Sequence, residues 1–232
     1  MSKVLGIIPA RGGSKGIPNK NLRELAERPL LAYTVDAAQD SGVIDRLILS
    51  TDSEEIAELG RGLGVEVPFL RPTELAQDDT AMLPVLQHAV KQVEAEGWQP
   101  EIIVLLQPTA PLRKAKHIVE AVELLQKENC DSVVSVVEVP GHYLPHFVMK
   151  IEDDKLDFFL PEGERVPRRQ DAPKAYSRDG SVYVFWRDLL IEKNTIYGDD
   201  CRPLILSHEH SVNLDTLEDW AEAEKMLLEK QL

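Results

Sequence analysis

Basic charge is scarce in this chain, and so is cysteine. With 26 lysines and arginines against 40 aspartates and glutamates, the formal net charge is -14. That balance would repel a phosphate backbone, because nucleic-acid binding draws most of its affinity from basic contacts. No nucleic-acid partner is expected, whereas a small anionic substrate held by a local cluster of cations stays compatible. The two cysteines, Cys130 and Cys201, make no disulfide framework and point to a reducing compartment. No stretch approaches the ~20 apolar residues of a membrane helix. The amino terminus opens on a strand-like run rather than a signal peptide, so a cytoplasmic protein with no membrane partner is expected. Internal repeats and low-complexity tracts are missing too. What remains is 232 residues of 43% hydrophobic content, enough for one substantial core and read as a single domain over residues 1–232.

The hydrophobic pattern alternates. Lys3 to Ala10 is short, apolar and β-branched, then breaks at Arg11-Gly12-Gly13, which predicts a buried strand emptying into a glycine loop. Helical spacing from Leu30 to Ala38 and a stop at Gly42 precede a second strand, Arg46 to Thr51. Asp52 or Ser53 then serves as N-cap for a helix over Glu54 to Leu63. Strands are predicted over Val65 to Leu70, Ile102 to Leu106 and Ser132 to Val137. One helix carries Leu83, Leu86, Ala89, Val90 and Val93, and the next Ile118, Val122 and Leu125. This order argues for a mainly parallel sheet covered on both faces, with ligands bound beyond the carboxyl ends of its strands. From Pro140 to Tyr176 the alternation falters among five prolines, a stretch too long for a structureless connection and expected to hold strands of its own or to pack on a partner chain. Strands resume at Ser181 to Phe185 and Pro203 to Leu206. The final helix is read with Leu217, Trp220, Ala221, Leu227 and Leu228 along one face.

The strongest chemical signal is Ala10 to Asn21, A-R-G-G-S-K-G-I-P-N-K-N, directly after the first strand. Its glycines let backbone N–H groups approach an anion, Ser14 adds a hydroxyl, and Arg11, Lys15 and Lys20 supply three cations. The spacing is neither that of a P-loop nor that of a dinucleotide fingerprint. The competing reading is a surface loop with solvated charges.

The pattern R-x-x-S-K-G-x-P-x-K-N after the first strand closely resembles the acylneuraminate cytidylyltransferases, the CMP-sialic acid synthetases. The likeness continues at three further strand ends: Ser50-Thr51-Asp52, Arg71 to Ala76, and Gln107 to Arg113 (QPTAPLR). It reaches Arg169-Gln170, Asp179 to Tyr183 (DGSVY) and Asn213-Leu214-Asp215-Thr216, spanning nearly the whole chain. The resemblance implies an α/β fold: a three-layer, mostly parallel Rossmann-like sheet of the sugar nucleotidyltransferase type. Residues 140–176 would be an inserted segment that packs against the partner in a homodimer. It implies an enzyme that transfers CMP from CTP to the anomeric hydroxyl of a nonulosonic, sialic-type acid, with pyrophosphate leaving.

By that resemblance Arg11 and Lys20 neutralise the departing pyrophosphate, in keeping with cations aimed at a leaving group. Gly12, Gly13, Ser14, Lys15 and Asn21 hold the triphosphate. Arg71 lies near the cytidine, its alternative being a surface ion pair. Gln107, a rigid amide at a strand end beside Pro108, contacts the sugar acid, its alternative being a turn former. Arg113 binds either its own loop or a carboxylate. Mg²⁺ would bridge phosphate oxygens. The family offers D-x-D as metal ligands where this chain has Asn213-x-Asp215, and a helix N-cap role competes for Asp215. A second departure places Ser177 where the family has arginine, leaving Arg178 as the candidate for the sugar carboxylate. Other readings are the same chemistry on the eight-carbon acid Kdo, or a non-catalytic nucleotide-binding module.

Overall fold

The computed structural model describes residues 2–14, 16–166 and 168–229. The chain runs through β1 (Val4–Pro9), the two-residue strands β2 (Glu24–Leu25) and β3 (Arg28–Pro29), then α1 (Leu30–Asp40), β4 (Arg46–Ser50) and α2 (Glu54–Gly62). It continues through α3 (Met82–Ala95), β5 (Ile102–Leu105), α4 (Ala115–Glu128), β6 (Ser132–Glu138), β7 (Met149–Glu152) and β8 (Lys155–Phe158). The last elements are β9 (Tyr176–Trp186), α5 (Arg187–Ile191), β10 (Cys201–Leu206) and α6 (Leu217–Glu229).

Six strands form one sheet in the order β10-β6-β9-β5-β1-β4. β1 pairs in parallel with β4 and β5, and β10 with β6, while β9 runs antiparallel between β5 and β6. The carboxyl ends of β1, β4, β5, β6 and β10 therefore share one edge with the first residues of β9. The three-layer, mostly parallel α/β architecture expected from the alternating pattern is the one observed. Pleating sends successive residues to opposite faces. Ile8, Leu49, Val104 and Val184 meet α1, α2 and α4 on one side. Leu5, Ile7, Ile103, Leu105 and Phe185 meet α3 and α5 on the other. A smaller core of Ile17, Leu25, Leu30, Leu214, Trp220 and Ala223 fastens α6 beneath the loop after β1.

Three expectations need correction or refinement. Val65 to Leu70 is not a strand: it makes a single bridge, Glu66 to Ile48, because Pro68 removes the next ladder donor and Leu70 turns outward, 47% exposed. The face of α6 is only partly the expected one: Trp220 is buried and Leu227 packs on the same core, but Ala223 completes it while Leu217, Ala221 and Leu228 are exposed. Ser53, rather than Asp52, caps α2, its Oγ accepting from Ile56 N at 3.4 Å. The stretch 140–176 does carry its own antiparallel hairpin, β7 with β8.

Candidate functional site

The glycine loop is held open by its neighbours. Ala10 N donates to Ser50 O (3.0 Å), and Gly12 N to Asp52 Oδ1 (2.9 Å), so the end of β4 fixes where the loop leaves the sheet. Asn21, 8% exposed, donates its Nδ2 to Arg11 O (3.1 Å) and closes the loop on itself. Ile17 is fully buried in the small core around Trp220. A Cβ on Gly16 would stand 2.2 Å from the carbonyl oxygen of Asp215, so the loop and the segment before α6 touch backbone to backbone.

That segment is threaded between two strand-end loops. Leu214 N donates to Thr109 O (2.9 Å), and Lys20 Nζ donates to Leu214 O (2.6 Å). Asn213 Nδ2 lies 3.0 Å from Asp215 Oδ2. The N-cap of α6 is Thr216, whose Oγ1 accepts from Asp219 N (3.2 Å) while Asp219 accepts from Thr216 N (2.7 Å), a reciprocal capping box. The cap role weighed for Asp215 thus belongs to Thr216, and the Asp215 carboxylate is not consumed by it.

These loops enclose a cleft of about 280 Å³ at the carboxyl edge of the sheet, lined by Arg11, Gly13, Ser14, Lys20, Asn21, Arg71 and Gln107, with Met82 and Val85 of α3. Arg11 pairs with Asp78 at the mouth (2.7 Å). Burial lowers the pKa of Lys20; Asp215 opposes this, and Arg11 adds to it. Arg71 is 6% exposed, not a surface ion pair: Nε donates to Ser50 Oγ (3.0 Å), Nη2 to Ser50 O, and its own N to Thr51 O (2.7 Å). Desolvation brings its pKa down to about 10, with Asp52 opposing. A larger hollow of about 770 Å³ lies among Lys3, Glu101, Trp186 and Lys193. It opens at the amino ends of β1 and β5, where the fold brings no glycine loop.

The far wall is made by a bulge. Across β6 and β9 the register moves from Val134 opposite Tyr183 to Val136 opposite Arg178, so β9 carries extra residues there, a device that re-aims backbone next to sites. The buried Asp179 holds the bulge by accepting from Ser135 Oγ and Ser181 Oγ, both at 2.5 Å. Gly180, with φ +78°, presents its backbone to Gln107; a Cβ there would lie 3.0 Å from Gln107 Oε1 and 3.8 Å from Asn213 Oδ1.

Of the residues singled out from the sequence, the fold gathers Arg11, Gly13, Ser14, Lys20, Asn21, Arg71 and Gln107 around one cleft. Gly12 is not among the residues lining it and faces Asp52 instead, and Asn213 and Asp215 are tied in through Leu214. Lys15 lies outside the described residues. Arg178 is not brought into this cleft: it donates to Tyr197 Oη and stacks 5.6 Å from that ring, in a separate hollow with Val134, Val136 and Pro203. Sequence reasoning missed Asp78, and it quoted Asp179 within the DGSVY motif without foreseeing that its carboxylate holds the bulge. Asp78 lies two residues past the Arg71 to Ala76 motif, and its pairing with Arg11 spans 67 positions, so only the fold creates it.

A glycine loop, a trio of cations and a polar far wall at the carboxyl edge of a parallel sheet define a nucleotide-binding α/β protein. The cytidylyltransferase family model matches residues 5–232, and the chain belongs to that family of nucleotidyltransferases. It is 34% identical over 227 residues to the CMP-N,N'-diacetyllegionaminic acid synthase of Legionella pneumophila, covering 97% of this chain and 96% of that protein. It is 35% identical over 225 residues to N-acylneuraminate cytidylyltransferase A of Danio rerio, covering 97% of this chain and 51% of that one. The fold matches a CMP:2-keto-3-deoxy-manno-octonic acid synthetase complexed with CTP, with a TM-score of 0.75 at 15% identity and full coverage of both chains. The resemblance drawn from the strand-end motifs is borne out. Among the described residues no helix is long and apolar enough to cross a membrane.

Proposed function

We propose that this cytidylyltransferase transfers CMP from CTP to the anomeric hydroxyl of a nonulosonic acid of the legionaminic or sialic kind, releasing pyrophosphate. The observation that carries the reading is the convergence of Arg11, Lys20 and Arg71 on one cleft whose opposite wall is Gln107. In a protein of net charge -14, such a cluster answers a polyanion. The acceptor follows the sequence relatives, whose names carry legionaminic acid and N-acylneuraminate. Kdo rests on a likeness that shows the fold alone.

Gly12, Gly13 and Ser14 seat the triphosphate, with Lys15 contributing from the same loop. Arg11 and Lys20 stabilise negative charge as the bond from the α-phosphorus to pyrophosphate breaks. Arg71, with Nε and Nη2 committed to Ser50, shapes the nucleoside side of the cleft. Gln107 orients the acceptor so that its anomeric oxygen approaches the α-phosphorus in line. Arg178 belongs to the acceptor side only if the acid extends to the Tyr197 hollow.

A divalent cation fits the donor set. Asn213 and Asp215 offer hard oxygens, and no group of three or more His, Cys, Asp or Glu side chains that could cage a metal occurs among the described residues. That suits Mg²⁺, which takes one or two carboxylates and fills its remaining positions with water and substrate phosphates. When bound it supplies charge neutralisation to the phosphates.

The segment 140–176 exposes Tyr143 (63%), Ile151 (74%), Leu156 (66%) and Phe159 (60%), an apolar surface suited to a second copy of the chain in a homodimer. Two unpaired cysteines suit a cytoplasmic location. The deciding experiment is pyrophosphate release from CTP and Mg²⁺ with N-acetylneuraminate, N,N'-diacetyllegionaminate, pseudaminate and Kdo offered separately. Release with one nonulosonic acid supports the proposal. Release with Kdo alone, or with none, refutes it, and CTP binding without turnover marks a non-catalytic module.

A further inference from the structure

Arg113 ends the Gln107 loop, yet it turns inward. It is 4% exposed, with each guanidinium nitrogen engaged: Nε donates to Ser181 O (2.5 Å), Nη1 to Thr34 Oγ1 (2.9 Å) and Nη2 to Gln107 O (2.5 Å). The three acceptors come from three parts of the fold: the β9 bulge, α1, and the loop after β5. Burying a charge is costly unless it is paired and hydrogen-bonded, and here burial pulls the pKa of Arg113 down while the buried Asp179 opposes it. Asp179 is itself the residue that holds the bulge against Ser135 and Ser181. A core of this size could be filled without a guanidinium, so a single planar fork spanning two cleft-wall carbonyls calls for a reason. The two carbonyls belong to Gln107 and to the residue after Gly180, whose backbone packs on the Gln107 amide.

We propose that Arg113 is a positioning residue for the transfer reaction: by tying Gln107 and the Gly180 bulge to α1, it holds the acceptor wall at a set distance from the triphosphate loop. The proposal rests on the reading that Gln107 contacts the acceptor. Only arginine has the geometry, because its fork presents several donors in one rigid plane, whereas an ammonium is a point donor on a flexible stem. Arg113 touches no reacting atom. Its effect belongs in acceptor use, not in the grip on CTP, which depends on the loop after β1.

The test compares Arg113→Lys, Thr34→Val and Gln107→Ala with the unaltered protein, using the nonulosonic acid that supports pyrophosphate release. It reads the acceptor KM, the dissociation constant for CTP alone, the melting temperature, and the side-chain amide resonance of Gln107 in 15N-labelled protein, identified by its loss in Gln107→Ala. Thr34→Val removes one acceptor from the fork, is nearly isosteric and leaves both cleft loops unmutated, so it decides the matter if Arg113→Lys does not fold. The expected result is an acceptor KM raised roughly tenfold in both variants, CTP binding within about twofold, and a shifted Gln107 amide. Equal losses for CTP and acceptor, or a lowered melting temperature with the acceptor KM and Gln107 amide unmoved, would overturn the inference. An unchanged acceptor KM in Gln107→Ala would instead refute the reading of Gln107 on which it rests.

Discussion

The glycine loop after β1 and the segment that carries Asp215 meet backbone to backbone, and Gly16 makes that approach possible. A methyl group at position 16 would sit 2.2 Å from the Asp215 carbonyl oxygen, where ordinary contact begins at 3.4 Å. Gly16→Ala therefore forces the two backbones roughly 1 Å apart, since neither can turn aside as a flexible side chain could. Three quantities depend on that gap: the Lys20 to Leu214 hydrogen bond of 2.6 Å, the placement of the Lys20 ammonium proposed to act on the leaving group, and the position of Asp215. Because a 1 Å misplacement of catalytic groups costs on the order of 100-fold in rate, kcat should fall by about that factor. The melting temperature should drop by only a few degrees, because the contact lies at the surface. Gly62→Ala is the control: nothing lies within 4 Å of its added methyl, and alanine within α2 should stabilise by about 0.4–1 kcal/mol with kcat unchanged. Steady-state pyrophosphate release and a thermal melt on both variants provide the measurement. A Gly16→Ala enzyme within twofold of the original rate would refute the claim that this contact sets the site.

Lys20→Met should lower kcat by about 10²–10³ with CTP binding weakened less, as for loss of one group aimed at developing charge; single-turnover kinetics separates the two, and an undiminished kcat would exclude Lys20 from leaving-group stabilisation. Asn213→Asp adds a carboxylate beside Asp215, so Mn²⁺ binding followed by electron paramagnetic resonance should tighten several-fold and half-maximal activity should need less metal; unchanged binding would remove this pair from the metal site. His117 is 2% exposed, accepts at Nδ1 from Lys114 N (3.3 Å) and meets His210 ring to ring at 5.2 Å; burial, with His210 adding to it, lowers its pKa to about 4. Its unfolded value is about 6.5, so the unfolded chain binds the proton first and stability is lost as pH falls from about 6.5 towards 4. Urea melts at pH 7 and pH 5 should show a loss of roughly 1–2 kcal/mol, allowing for screening by solvent, that is absent in His117→Leu; equal losses in both proteins would show that another group is responsible.

Most strands and helices were legible because their apolar residues follow the periods of a pleat or a helix and face a core on both sides of the sheet. The reading failed where an edge intervened. At Val65–Leu70 the residues suit a strand, but Pro68 and the lack of a second neighbour leave one bridge. In α6 the pattern of leucines suggested one buried face, whereas the helix meets only the small core under the glycine loop and buries Trp220 and Ala223 alone.

The strand-end motifs were readable for a physical reason: a buried strand that stops at glycines and cations has to deliver those groups to its carboxyl edge. What local sequence could not carry was the company each residue keeps. Arg113 and Arg178 look alike as lone arginines near polar motifs. One turns inward to fasten the Gln107 loop to the β9 bulge and the other lies beside Tyr197, through contacts across 68 and 19 positions. The chain's own residues determined which chemical groups reach the edge of the sheet. Only the tertiary structure decided which of them share a cleft, because that depends on close-packed distances between segments that no period along the chain encodes.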